Sequence, residues 1–347
     1  MRVMLVVSLA FGACVAARVA GVLAQDGARQ SVSAPRAATT EVEESVARAA
    51  AAVCAERELD PRGSVPIDVM QSRPNLAARN PEVLVGAARA SRLLPAAKQL
   101  AAESLSALMA ENGVAVASRR AALARIGMVR RIKLDVSLRD NASIVYDDPR
   151  AIRFGTIFLA SLRSDEGMLS VMAHELTHAA DGARGTLTPL FRRVARRAEL
   201  SAGLRQVSAR RGEELTCDLV GVMAARLFVA RNATGEPAAR RAARTVEHNC
   251  VERDETDAAH LSPRETMRAV LALTPALAAE VTGESDADTT APLNHTELPR
   301  DARRTPGATQ QPRETSARPR VRDGATRRGN GATRGRLPTH RPHAVPL

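Results

Sequence analysis

Three residues carry the chemistry of this chain: His174, Glu175 and His178, within the run Met168-Leu169-Ser170-Val171-Met172-Ala173-His174-Glu175-Leu176-Thr177-His178. The run reads H-E-x-x-H. On a helix, positions i and i+4 lie one above the other on the same face. His174 and His178 would then aim a ring nitrogen each at one metal ion. Glu175, one residue round from His174, can reach a water on that metal without being a ligand. This is the zinc-hydrolase arrangement, two nitrogens for the ion and a carboxylate for the water's proton. Five-residue patterns also arise by chance, and an ordinary amphipathic helix with two surface histidines would look the same.

A catalytic zinc takes three protein ligands and leaves a fourth position for water. The best candidate for the third is Glu214, on the next strongly helical stretch but one. Asp218, a turn further on, could accept a hydrogen bond from the free ring N–H of a ligating histidine and fix its tautomer. The bland alternative for Glu214 is a solvated carboxylate at a helix start, which is how neighbouring Glu213 reads.

The context of the motif favours a helix. Ser164 is a good N-cap, and Asp165 and Glu166 suit the positive end of the helix dipole. Leu169, Met172, Ala173 and Leu176 recur at steps of three and four, an apolar stripe beside the histidines. Gly182 and Gly185 supply stop signals. Upstream, Ile132, Leu134, Val136 and Leu138 alternate with polar residues, the pattern of a half-buried strand. Ile144 to Tyr146 and Arg153 to Ala160 are two further strand candidates. A strand beside the metal helix could dock an extended substrate by main-chain pairing, or could simply cover the helix.

The apolar strand expected at Ile157–Ala160, the run from Asp165 to His178, and Glu214-x-x-Cys217-Asp218 together resemble the HtpX and CAAX-prenyl-protease group of gluzincin peptidases. That group reads roughly E-L-x-x-V-L-A-H-E-L-x-H and later E-x-x-A-D. The resemblance covers about a third of the chain. It implies His174, His178 and Glu214 as ligands of Zn2+ and Glu175 as general base. Cys217 stands where the group prefers Ala. His260-Leu261-Ser262-Pro263, followed by Arg268, is similar to a later His-Pro…Arg segment at longer spacing, which implies an oxyanion-stabilising role for His260. The integral-membrane helices of many members are missing, because no apolar run after Ala24 approaches 18 residues. A competing resemblance is to mitochondrial inner-membrane processing metallopeptidases, which carry H-E-x-x-H-x-x-D. It would give Asp181 more weight than the turn role it otherwise has before Gly182.

The remaining elements are read as helices: Glu41 to Leu59, ended by Pro61 and Gly63; Asn80-Pro81 to Leu94, interrupted at Pro95 and resumed to Gly113; and Arg119 to Ile126. A helix from Thr188-Pro189 ends by Gly212. Others run through Glu213 to Ala225, over Glu236 to Glu252, and from the capping box Ser262-Pro263-Arg264-Glu265. Val65 to Met70 is a candidate short strand.

Composition narrows the fold. Of 347 residues 45% are apolar but only 2% aromatic, with no Trp and one Tyr, so Ala, Leu and Val must fill the interior. That favours packed helices over an aromatic-rich sandwich. The formal charge of +12 is concentrated at the end of the chain, where residues 300–347 hold twelve Arg against Asp301, Glu314 and Asp323. The body is thus near an ordinary balance. No aromatic stacking platform interleaves the basic segment, so a nucleic-acid partner is not expected. A solvated tail able to contact anionic surfaces is the reading.

Residues 1–24 look like an export signal: Arg2, an apolar run from Val3 to Ala17 too short to span a bilayer comfortably, and small residues at Val22-Leu23-Ala24. An uncleaved anchor and a lipid anchor at Cys14 stay open. Export leaves Cys54, Cys217 and Cys250, an odd number, hence one disulfide and one free thiol. Cys54–Cys250 is the pairing favoured, with Cys217 buried near the metal helix. A cysteine ligand to zinc is the sharper alternative for Cys217, although its place between Glu214 and Asp218 argues for packing.

The expected architecture is α+β and mainly helical. A zincin-like metallopeptidase domain at 41–282, with a small sheet next to the H-E-x-x-H helix, lies between a 25–40 linker and a 283–347 disordered tail. The expected activity is zinc-dependent hydrolysis of a protein or peptide substrate by an exported enzyme. The rival from another class is a non-catalytic metal-binding or scaffolding protein tethered by its basic tail.

Overall fold

The computed structural model of the chain describes residues 34–284, residue 147 excepted, and all of them belong to one compact unit. The segment 1–24, the start of the expected linker and the tail from residue 285 lie outside the described residues. The fold is mainly helical with a three-stranded sheet. The helices are α1 (Ala34–Leu59), α2 (Ile67–Ser72), α3 (Pro81–Glu111), α4 (Val116–Met128), α5 (Thr156–Ser161), α6 (Asp165–Asp181), α7 (Thr188–Ser201), α8 (Ala209–Arg231), α9 (Ala238–Ala243), α10 (Pro263–Leu273) and α11 (Pro275–Thr282). The strands β1 (Arg131–Leu134), β2 (Ala142–Val145) and β3 (Asp148–Phe154) fall between α4 and α5.

Helix α6 carries the H-E-x-x-H run and occupies the centre. Its start follows the sequence signals: Ser164 Oγ accepts the Gly167 N–H at 3.1 Å, with Asp165 and Glu166 in the first turn. Its end is set by Gly182, whose φ of +63° is open to glycine at no steric cost. The expected single apolar stripe is too narrow a description. Apart from Asp165 and His174, every residue of α6 is buried, because α8, α3, α4 and β2 surround the helix. Helix α8 comes closest. A Cβ at Gly221 would sit 2.6 Å from the Ser170 carbonyl oxygen, so this crossing needs glycine. The close approach brings the first turns of α8 against the histidine face of α6.

The sheet order is β1-β3-β2, with β1 parallel and β2 antiparallel to central β3. Edge strand β2 lies against α6. Several expected boundaries need correction. The third strand stops at Phe154, and Ile157–Ala160 is helical within α5. A short, mostly buried apolar run has no periodicity to separate the two states. Val65–Met70 is not a strand: after Pro66 the chain turns into α2, which buries only Met70. The alternation from Ile132 breaks at Asp135, whose Oδ1 accepts the Ser137 N–H and starts a single 3-10 turn. Pro95 does not interrupt α3. A mid-helix proline costs about 3 kcal/mol, and buried Leu93, Leu94, Ala97 and Leu100 on either side hold the helix together. Gly212 lies inside α8 rather than ending α7, the 236–252 stretch is helical only over α9 and a 3-10 turn at Glu247–Asn249, and α1 begins within the stretch expected as linker.

The interior is built of Ala, Leu and Val, with Phe154 and Phe191 the buried phenylalanines. Cys54 and Cys250 form a disulfide with a Cα separation of 5.5 Å, and Cys217 is a buried free thiol. Among the described residues no helix is long and apolar enough to cross a membrane.

Candidate metal centre

The two helices that meet at Gly221 supply the site. On α6, His174 and His178 are one turn apart, and their Nε2 atoms lie 3.1 Å from each other. On α8, Glu214 Oε2 lies 3.2 Å from His178 Nε2 and 3.4 Å from His174 Nε2. Donors at 2.0–2.1 Å from a tetrahedral zinc would be separated by about 3.3–3.4 Å. The three atoms therefore match one face of such a tetrahedron, and residues predicted from two separate segments are brought together.

The far side of each ring explains its orientation. His174 Nδ1 is 2.8 Å from Asp218 Oδ1, and His178 Nδ1 is 3.0 Å from Glu213 Oε1. Both carboxylates can only accept, so each ring has its Nδ1–H directed at a carboxylate, and as a neutral ring it would turn a bare Nε2 toward Glu214. With both rings neutral, three lone-pair atoms would converge on one point, a place for a cation. The surrounding charges show the same demand. Burial pushes the His174 imidazole down, but Asp218 and Glu214 outweigh it and hold the ring well above its ordinary range. Burial likewise pushes His178 down, and Cys217, Glu213 and Glu214 reverse it. Glu214 is raised by burial and pulled far below the carboxylate range by the two histidines.

Glu175 follows His174 in α6 and is buried. Burial raises its carboxyl above the ordinary value, with His174 and His178 pulling it partly back. Such a carboxylate is a better proton acceptor than a solvated one. His260, before α10, reaches the rim: its Nε2 lies 3.7 Å from Glu214 Oε2, and its Nδ1 lies 2.9 Å from Asp257 Oδ2. Asp181 is used by the fold. It is buried, and its carboxylate accepts the Leu187 N–H across the turn after α6.

Cys217 brings a second possible donor. Ligand atoms of His174, His178 and Cys217 all lie within 4.8 Å of one another, so this group could hold a metal ion. Burial raises the thiol, and the His178 and His174 rings pull it back. Glu214 fits the edges of a tetrahedral site directly, whereas the cysteine group is bounded only by the wider distance. We therefore take Glu214 as the third donor and Cys217 as its competitor.

The structure corrects the reading of Glu213, which is half-buried and bonded to His178 rather than solvated. Tyr146 was not singled out by sequence as part of the site. Its hydroxyl donates to Glu213 Oε1 at 3.0 Å and lies 3.3 Å from His178 Nδ1. The one available signal was its rarity, as the only tyrosine of the chain, at the end of a strand next to the motif. His248 was missed too. Its buried Nδ1 has no hydrogen-bond partner among the described residues, and burial lowers the imidazole's pKa.

No protein-family model, no curated protein and no solved structure matches this chain.

Proposed function

We propose that the chain is an exported zinc-dependent endopeptidase of zincin-like architecture, akin to the HtpX and CAAX-prenyl-protease group. The convergence of His174 Nε2, His178 Nε2 and Glu214 Oε2 at 3.1–3.4 Å carries the reading. Two imidazoles and a carboxylate are borderline donors suited to zinc. The ion, when bound, lowers the pKa of water to about 7 and polarises the substrate carbonyl. Glu175 would accept the proton from that water and pass it to the leaving amine. Asp218 and Glu213 hold the imidazoles with Nε2 inward. His260, with Nδ1 held by Asp257, presents Nε2 at the rim for the developing oxyanion. Strand β2, at the sheet edge against α6, offers main-chain groups to an extended peptide. The Cys54–Cys250 disulfide supports export, because such bonds persist in oxidising compartments.

The test is metal content followed by turnover. Purified protein should hold one zinc per chain, and His174→Ala and Glu214→Ala should lose it. Glu175→Gln should keep the metal and lose casein hydrolysis, while o-phenanthroline should block the wild type and added zinc restore it. A wild-type protein that neither contains nor takes up zinc overturns the proposal.

One observation favours a second reading. If the Cys217 thiolate joins the two histidines and Glu214, four protein donors close the site and leave no place for water. The protein would then be a metal-binding or scaffolding module, with its basic tail contacting anionic surfaces. Cobalt substitution separates the readings, because a thiolate ligand gives an intense sulfur-to-metal charge-transfer band. Tethering predicts salt-sensitive binding to anionic lipid that disappears when residues 283–347 are deleted.

A further inference from the structure

Helix α8 presents two consecutive carboxylates to one imidazole. Glu214 approaches His178 on its Nε2 side at 3.2 Å, and Glu213 approaches it on its Nδ1 side at 3.0 Å. Adjacent helical residues point about 100° apart, so a ring inserted between them is clasped from both edges. Glu213 would ordinarily be free to swing outward, since its side chain is not fully buried. A second donor prevents this. The Tyr146 hydroxyl, from the residue that follows β2, donates to the same Oε1 atom at 3.0 Å. The phenol also meets the His178 ring edge-on, with centroids 6.3 Å apart. Tyr146 is exposed over much of its surface, yet its hydroxyl is held at the site.

We propose that Glu213 and Tyr146 form a positioning pair that locks His178 in its metal-binding tautomer and ties the end of edge strand β2 to the metal centre. The inference rests on the reading of His178 as a metal ligand. Neither residue touches the reacting atoms. Glu213 accepts a hydrogen bond from Nδ1–H, which keeps the proton there, leaves the Nε2 lone pair for the ion and makes the ring a stronger donor. Tyr146 fixes which way the Glu213 carboxylate points. Of the residues that hold the two rings, only Tyr146 comes from the segment between two strands, so this contact makes the β2–β3 turn part of the site.

The test uses the full chain and zinc alone, with affinity measured by competition against a chelator. Glu213→Ala should weaken zinc binding about 10–100-fold, Glu213→Gln should recover part of the loss, and Tyr146→Phe should weaken binding by a smaller factor. The chain has one tyrosine and no tryptophan, so its intrinsic emission reports on Tyr146 alone. That emission should change when wild type is saturated with zinc and should stay indifferent to zinc in Glu213→Ala. A purely structural role would move neither readout. Wild-type affinity in Glu213→Ala overturns the inference and leaves the peptidase reading intact, whereas a wild type with no zinc affinity overturns that reading itself. Should Glu213→Ala not fold, Glu213→Gln and Tyr146→Phe decide: weaker binding in both supports the pair, and wild-type affinity in both sinks it.

Discussion

Glu175 and Glu247 are both buried carboxyls pushed above their ordinary range by burial, yet they differ in what surrounds them. Glu175 feels the charges of His174 and His178, which lower it, and of Glu214, which raises it. Glu247 sits in a 3-10 turn away from the motif, accepts the Ser64 N–H at 2.6 Å, and is raised to about 7. Its effect on stability has a definite sign. The folded protein holds the Glu247 proton up to about pH 7, whereas the unfolded chain releases it near 4.5. Folding is therefore favoured below pH 4.5, and that advantage is lost as pH rises through about 7, a difference of at most roughly 3 kcal/mol. Glu247→Gln keeps an acceptor for Ser64 and removes the ionisation. Urea unfolding should show the variant gaining on wild type as the pH rises from 5 to 8. Parallel pH profiles would show that burial does not raise this group. At this scale the sequence revealed placements that follow from one helix and its spacing: His174 and His178 at i and i+4, and Glu214 with Asp218. It did not reveal Glu213, because its partner lies on another element and nothing local separates a bonded glutamate from a solvated one.

The elements themselves were legible wherever a local signal fixed them. Asn80 caps α3 by accepting the Glu82 N–H, and Ser262 and Glu265 close the capping box of α10. Strand against helix was not legible over Ile157–Ala160, since an unbroken run of apolar residues carries neither period. The charged interior was hidden for a different reason. Arg244, before the 3-10 turn, is fully buried and bonded to Asp60 beyond the end of α1 and to Glu236 before α9. Arg241 of α9 pairs in the same way with Glu166 in the first turn of α6. In a chain with so many arginines, no local pattern marks which ones turn inward. These pairs anchor the start of the metal helix to α9 and the end of α1. Removing one partner of a buried pair strands the other, at a cost of about 3–5 kcal/mol. Arg244→Met should lower the denaturation free energy by that amount. The double variant Arg244→Met with Asp60→Leu should recover a good part of it, because the abandoned charge goes too. A single variant as stable as wild type would show that water, rather than Arg244, satisfies Asp60.

At the scale of the whole molecule, the disulfide ties the first helix to the segment that precedes α10. Helix α1 packs on α10 and α11, and its Cys54 is bonded to Cys250 across a sequence separation of 196 residues. The closed loop contains α6, α8, the sheet and every proposed ligand. A bridge across so long a loop stabilises chiefly by restricting the unfolded chain, by about 2–5 kcal/mol. His174, His178 and Glu214 are held by the α6–α8 crossing rather than by α1. Reduction should therefore weaken the fold without dispersing the site. The double variant Cys54→Ala with Cys250→Ala should show a urea midpoint reduced in proportion to the lost free energy, measured without metal, and should bind zinc with wild-type affinity under conditions where it remains folded. The same variant keeps Cys217, so a dithiothreitol-treated wild type should behave as it does. Loss of zinc affinity on removing the bridge, in protein shown to be folded, would mean that α1 and the segment at Cys250 position the ligands, and that the crossing at Gly221 is not sufficient to hold them.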